Sequence, residues 1–285
     1  MRRSIALVCI LLGAMVSPAT GQDWLEARTD TYSVFYVAGS EADVELAKTW
    51  MNRAEEASFD RYGVRFSRYK IALYLHPAPV PTQNVNVGTA RLICCNTNSG
   101  ISTGTIHFLT PSYPGWRQGI EPSTGLAMDA YYQKRLMMHE YMTVAHYLVQ
   151  ESRGPSSAGA FGPGWQYYSA PDWFYQGLEE WDGLAASDKN YRETVSPLII
   201  RKSRQADGIV CCLTLDPAVP AVAVASVYVD GFTLLSYLSS RYGQDVAGRI
   251  LRSDAATFWE AVRQSTSVDS PSALWEGLAL WLKAQ

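Results

Sequence analysis

The order of hydrophobic patterns predicts an α+β fold: a small mixed β-sheet, one long helix, then a mainly helical C-terminal half. Three observations carry this expectation. Strand-like alternation is confined to the first third of the chain. Leu126 to Ser152 then runs without an interior Gly or Pro, as a long helix requires. Beyond residue 193 most of the chain keeps the helical period, so strands and helices are segregated rather than alternating.

The first segment stands apart from the fold. Arg2 and Arg3 precede an apolar run, Ile5 to Val16, and Ala19-Thr20-Gly21 supplies small residues. The run is short for a bilayer span, and the pattern predicts a signal peptide cut near Gly21/Gln22. Cys9 sits inside the apolar run rather than just after it, which disfavours a lipid anchor. No later stretch is apolar for long enough to predict a membrane span. The expected organisation is a signal peptide over 1–21, an N-terminal α/β region over 22–125, and the motif helix with a helical region over 126–285. The last two form one compact unit, exported to the periplasm or the medium.

Tyr32 to Val37 alternates and is rich in β-branched and aromatic residues, so a strand is expected. Glu41 to Tyr62 places Ala47, Trp50, Met51, Ala54 and Ala57 on one side, which predicts an amphipathic helix. Lys70 to Leu75 reads as a strand stopped by His76-Pro77, with His76 in a loop role. Arg91 to Cys95 and Thr105 to Leu109 read as two more. After the long helix, Arg153 to Ala170 is a Gly- and Pro-containing loop in which Phe161, Trp165, Tyr167 and Tyr168 suit a cleft wall. Helices are expected over Trp173 to Trp181, Glu193 to Ser203, Tyr228 to Tyr242, Val246 to Arg252, Ala255 to Gln264 and Pro271 to Ala284. Gly208 to Val224 reads as extended.

Composition narrows the function. A 47% hydrophobic share among 285 residues supports a sizeable core and excludes a disordered chain. A net charge of -3 without basic blocks argues against nucleic-acid backbone binding. Nine Trp and 17 Tyr suit core packing first and a contact cleft second. Export makes disulfides expected for the two doublets, Cys94-Cys95 and Cys211-Cys212, with either cross-pairing open. A soft-metal site is disfavoured because neither Cys-x-x-Cys nor Cys/His spacing occurs.

The chemistry concentrates in three segments. The long helix carries His139-Glu140-Tyr141-Met142-Thr143-Val144-Ala145-His146. The next helix carries Trp173-Phe174-Tyr175-Gln176-Gly177-Leu178-Glu179-Glu180-Trp181, and a later one opens on Tyr228-Val229-Asp230-Gly231-Phe232. In order and spacing these resemble the gluzincin metallopeptidases of the peptidase-MA-like type. These have H-E-x-x-H on a helix, a W-[LF]-x-E-G-x-A-E-[YW] helix and a later tyrosine. The resemblance implies a zincin-like fold with the long helix as active-site helix. Two His one turn apart on that helix and a glutamate from the next would bind Zn²⁺ with one open position. The Glu after the first His would take a proton from the metal-bound water.

Carried over residue by residue, the resemblance makes His139 the first ligand position, Glu140 the general base and Tyr228 the oxyanion-stabilising tyrosine. Thr143 stands at the second ligand position and Gln176 at the third. Two of three ligands are therefore absent, and neither a neutral hydroxyl nor an amide carbonyl replaces them well. No metal or other cofactor is expected. His146 lies roughly 10 Å along the helix from His139 and is expected to be an ordinary packing histidine. Thr143 and Gln176 are expected to bond with His139 and Glu140 in a metal-free polar cluster. Glu180, or Glu179 beside it, is a candidate second carboxylate, and Trp173 a candidate cleft residue. His107, in a strand that resembles the sheet edge beside the cleft, is a candidate peptide contact.

Three functions stand as alternatives. The cleft binds a peptide or glycan without catalysis. Or it works as a metal-independent hydrolase or lyase with Glu140 as general acid or base, assisted by His139, Glu180 and Tyr228. Or it is a metallopeptidase with non-standard ligands.

Overall fold

The computed structural model describes residues 23–65, 71–93, 104–153, 164–205 and 224–285. The expected signal peptide, both cysteine doublets and most of the Arg153 to Ala170 and Gly208 to Val224 segments lie outside the described residues.

The architecture is α+β. Five strands, β1 (Leu25–Arg28), β2 (Tyr32–Tyr36), β3 (Ile71–His76), β4 (Arg91–Ile93) and β5 (Gly104–Leu109), form one sheet in the order β1-β2-β3-β5-β4. The central strands β2, β3 and β5 are parallel, and the two outer strands are antiparallel to their neighbours. Parallel pairing of β2 and β3 needs a long crossover, and helix α1 (Glu41–Tyr62) supplies it. Glu41 and Asp43 lie in the first turn of α1, and Gly63 closes it with a left-handed φ of 68° that a glycine adopts without strain.

The strands alternate faces. Val34, Leu73, Leu75, Ile106 and Phe108 point into a core shared with Trp50 and Met51 of α1 and Met137, Met138 and Tyr141 of the long helix α2 (Ala130–Glu151). Phe35, Tyr74 and His107 stack on the opposite face. Helix α2 also belongs to a second core through Tyr147 and Val149, built with α3 (Asp172–Ala186), α4 (Lys189–Gln205), α5 (Val224–Tyr242), α6 (Val246–Arg252), α7 (Phe258–Thr266) and α8 (Pro271–Lys283). Being buried on both sides explains why α2 is apolar around most of its circumference.

Several boundaries differ from the sequence expectation for local reasons. Helix α2 begins at Ala130 rather than Leu126 because the Asp129 side chain accepts the N–H groups of Tyr131 and Tyr132. The residues before it instead form a bridge between Ile120 and Ala127. Helix α7 starts at Phe258, where Thr257 and Glu260 form a reciprocal capping box. Helix α4 runs from Lys189 and carries Pro197 inside it. His76 is not in a loop but is the buried last residue of β3. Strand β5, with His107, is interior to the sheet, and β4 forms the edge. The three-residue β4, with Arg91 and Ile93 exposed, sits outermost, whereas β5 is buried along almost its whole length.

Helices α3 and α5 cross with almost no side-chain material between them. A Cβ on Gly177 would lie 2.3 Å from the Gly231 carbonyl carbon, and one on Gly231 would lie 2.1 Å from the Trp173 carbonyl oxygen. Backbone cannot move aside as a flexible side chain can. Gly231→Ala is therefore expected to lower stability by about 3 kcal/mol, the upper end of overpacking costs, read as a shift of the urea unfolding midpoint. An unchanged midpoint would show that the two helices do not approach this closely.

Candidate functional site

The motif residues of α2 and α3 meet where Gly183 lets the two helices touch. A Cβ there would sit 3.1 Å from both the Arg135 carbonyl oxygen and the His139 nitrogen. This proximity brings the α3 carboxylates onto the α2 side chains. His139 Nε2 lies 3.3 Å from Glu179 Oε2, and its Nδ1 lies 3.4 Å from Glu180 Oε1. Burial opposes a charge on this imidazole, but bonding to Glu179 and Glu180 outweighs it and holds the pKa well above the ordinary value. His139 thus lies between two carboxylates that favour its protonated form.

The clasp extends in both directions. Glu180 Oε2 lies 3.4 Å from Arg135 Nε, and Arg135 also pairs with the buried Glu121. Burial favours the neutral form of Glu180, yet Arg135 and His139 prevail and bring its pKa down to about 2. On the other side Glu179 Oε1 accepts from the Tyr167 hydroxyl at 3.1 Å. That hydroxyl lies 2.8 Å from His146 Nδ1, and His146 Nε2 lies 2.7 Å from Asp182 Oδ2. Asp182 accepts from Tyr62 at 2.5 Å and from Arg61. Burial again opposes the charge, and Arg61, His146 and Tyr62 keep Asp182 below the ordinary carboxylate range. One chain of polar contacts therefore runs from Arg61 on α1, across α2 and α3, to Glu121 before α2.

Glu140 is the exception. It is only partly buried and accepts the backbone N–H of Leu92 in the edge strand β4. Burial pushes its pKa up to about 7, reinforced by Glu179 and Glu180 and opposed by His139 and the Leu92 N–H. The Tyr228 ring on α5 lies 5.9 Å from the His139 ring, and burial with Glu179, Glu180 and Glu140 nearby pushes its hydroxyl up to about 12. A carboxyl near neutrality beside a phenol is a group pair suited to proton transfer.

The other expected site residues fall differently. The partners of His139 are Glu179 and Glu180 rather than Thr143 and Gln176; Thr143 is buried in α2 and Gln176 half-buried on α3. Trp173 is a core residue, its ring packed edge-on against Phe174, Phe258 and Trp275, because its position faces α7 and α8 rather than the motif. His107 pairs with His76 at 2.9 Å on the face of the sheet away from α2. Burial lowers both histidines to about 4, with His107 adding to it for His76 and Arg91 for His107. His146, expected as a packing histidine, is a full member of the chain of polar contacts. Sequence reasoning misses Arg135, Glu121, Asp182 and Arg61 as site residues, and names Tyr167 only as an aromatic of the cleft wall. Their common signal is an ionisable or hydroxyl side chain in an otherwise apolar segment, which is legible only once the partner is known.

The donor set does not fit zinc. Both nitrogens of His139 face carboxylates, and positions 143 and 176 offer a hydroxyl and an amide. Among the described residues no group of three His, Cys, Asp or Glu side chains is placed to hold a metal ion.

No protein-family model matches the chain, and no curated protein matches its sequence. Among solved structures, aminopeptidase A from Legionella pneumophila in complex with aspartic acid superposes with a TM-score of 0.46 at 11% identity. The match covers 89% of this chain and 27% of that one, so the chain spans about a quarter of that protein's length. No helix among the described residues is long and apolar enough to cross a membrane.

The clasp has measurable energetic consequences. Arg135→Met leaves Glu121 and Glu180 buried without their cation and is expected to cost about 3–5 kcal/mol. The pH dependence has two opposite limbs. Glu180 titrates near 2 when folded against an ordinary 4.5, so its contribution of about 3 kcal/mol is complete above pH 4.5 and is lost as pH falls through 2. Glu140 titrates near 7 when folded, so stability declines as pH rises from 4.5 through 7. Glu140→Gln is expected to raise stability at pH 8 by about 2–3 kcal/mol and to leave it unchanged at pH 4, as urea unfolding at the two pH values would show. Equal effects at both would place the Glu140 carboxyl in water.

Proposed function

We propose that the protein is an exported, gluzincin-like binding protein that holds an extended peptide in the cleft beside Glu140 and Tyr228, with no zinc chemistry. The carrying observation is the clasp: His139, at the first ligand position of the resemblance, has Glu179 Oε2 at 3.3 Å from Nε2 and Glu180 Oε1 at 3.4 Å from Nδ1. Both carboxylates favour the protonated imidazole, and a protonated imidazole has no lone pair for a metal. The preference for a peptide over a glycan comes from β4, which forms the edge of the sheet and whose Leu92 N–H is directed at Glu140. A peptide laid along that edge reaches main-chain hydrogen-bonding groups as an added strand would.

A second reading has its own observation. The Glu140 carboxyl stands near 7 with the Tyr228 phenol close by, the condition for a metal-independent general acid or base. On that reading a hydrolase or lyase acts on peptide or glycan, and Glu140→Gln abolishes turnover while the fold is retained.

Three measurements decide. Elemental analysis of protein purified without chelator or added metal is expected to find zinc far below one equivalent; a full equivalent overturns the proposal. The double variant Thr143→His with Gln176→Glu is expected to gain zinc binding that the native chain lacks. For the ligand, binding of extended synthetic peptides is expected to fall at least about tenfold, ~1.4 kcal/mol, in Leu92→Pro, which removes the outward N–H. Equal binding by both proteins rejects the edge strand as the contact.

A further inference from the structure

The edge strand β4 offers a ligand more than main-chain groups. Its residues alternate faces, so Arg91 and Ile93 stand exposed on the face away from α2, while Leu92 lies half-buried on the other. Arg91 ends a row of cross-strand neighbours that spans all five strands: Glu26, Phe35, Tyr74, His107 and Arg91. The three rings of the row stack on one another, with centroids 4.6 and 5.1 Å apart. The interior of the row is therefore filled, and its two charged residues stand at its ends.

Arg91 is oriented before any ligand arrives. With the Asn84 amide turned to suit both its neighbours, the oxygen accepts from Arg91 Nη1 at 2.8 Å and the nitrogen donates to the Pro81 carbonyl at 3.2 Å. A guanidinium presents five N–H groups in one planar fork. One bond to the amide fixes its direction and leaves the other donors for a second partner. No carboxylate among the described residues forms an ion pair with Arg91. Its neighbour in the row, His107, is lowered to about 4 by burial and by Arg91 itself, so near pH 7 it is neutral and supplies no counter-charge.

Main-chain groups are alike in every peptide, so an added strand is selected by its side chains. On such a strand the residue opposite Arg91 lies on the same face, with its Cβ about 5 Å away. The residue two places along lies opposite Ile93. An ionised carboxylate is the side chain that completes the Arg91 fork, and an apolar one covers Ile93, which is 47% exposed.

We propose that Arg91 makes the β4 edge selective for acidic peptides, those with Asp or Glu two residues from an apolar side chain. This rests on the binding proposal above and adds to it the class of peptide. Strand direction decides which of the two residues comes first, but not their spacing. Arg91 is a specificity residue on the face away from α2, so the selection does not involve the His139 clasp.

The test uses synthetic peptides of alternating threonine and valine, alike except for glutamate, glutamine or lysine in place of a central valine. Each keeps a valine two residues away on either side of the substituted position. Affinities are measured by fluorescence anisotropy for the full-length native protein, Arg91→Gln and Arg91→Glu. The native protein is expected to bind the glutamate peptide about threefold more tightly than the glutamine peptide, the size of an exposed cross-strand ion pair, and to bind the lysine peptide least. Added salt is expected to shrink the preference. Arg91→Gln is expected to lose it, and Arg91→Glu to turn it towards lysine. Each comparison is a ratio within one protein, so a loss of folded fraction does not alter it. A further peptide, with glutamate in place of the adjacent threonine, puts charge and valines on opposite faces and is expected to bind like the glutamine peptide; binding as tight as the first glutamate peptide overturns the spacing. Equal affinity of the native protein for glutamate, glutamine and lysine overturns the inference and leaves edge binding standing. A glutamate preference that survives unchanged in Arg91→Gln also overturns it, since another cation would then be responsible. Failure of every peptide to bind overturns both the inference and the proposal on which it rests.

Discussion

The contact on which the site depends is the clasp of His139 between Glu179 and Glu180. A buried imidazolium with one carboxylate on each nitrogen fixes the rotation of α2 against α3, because turning either helix opens one of the two contacts. The clasp in turn requires backbone-close helices, and Gly183 provides the approach at that level of α3. Gly177 and Gly231 provide it between α3 and α5, so that Tyr228 reaches the same site from the third side. Small residues on the helix faces and charged residues beside them are two parts of one device. Without the first, the second would be held apart by a side-chain layer.

Buried ion pairs gain little over apolar packing when each charge has only one partner. Here almost every charge has more than one. Arg135 serves Glu121 and Glu180, His139 serves Glu179 and Glu180, and Asp182 collects Arg61, Tyr62 and His146. Sharing places a second opposite charge beside Arg135, His139 and Glu180, although Arg135 Nη1, His139 Nδ1 and Glu180 Oε2 make no hydrogen bond. It also explains the exceptional position of Glu140. With the other carboxylates matched to cations, one more ionised carboxylate has no cation of its own, and the group that stays protonated near neutrality is the one at the cleft.

The fold was legible where packing repeats itself. The α+β order, the bounds of α1 and the segregation of strands from helices follow from period alone, since each face meets a continuous core. Helix starts were less legible because they are set by single caps, Asp129 and the Thr257–Glu260 pair, that compete with the apolar pattern. The site was legible only in half. Motif order points to His139, Glu140, Glu180 and Tyr228, and these do come together. His107 was misplaced because a strand's position in a sheet is a matter of topology, and β5 looks the same in sequence whether it lies at the edge or one place inside. Trp173 belongs to the motif by position but packs with α7 and α8. Arg61, Glu121, Tyr167 and Asp182 are brought in by contacts between segments far apart in the chain, and spacing cannot register those.

The residues at positions 143 and 176 and the chain of charges can be understood together. With imidazole at position 143 and carboxylate at 176, a dication could screen His139 from its neighbours, and neither Glu179 nor Glu180 would need to turn onto it. With hydroxyl and amide there instead, the two α3 carboxylates favour the protonated form of His139. The α3 carboxylates then have a partner within the protein, and the proton takes over the role that a metal ion has in the resemblance: it is the positive charge around which the acidic side chains are organised.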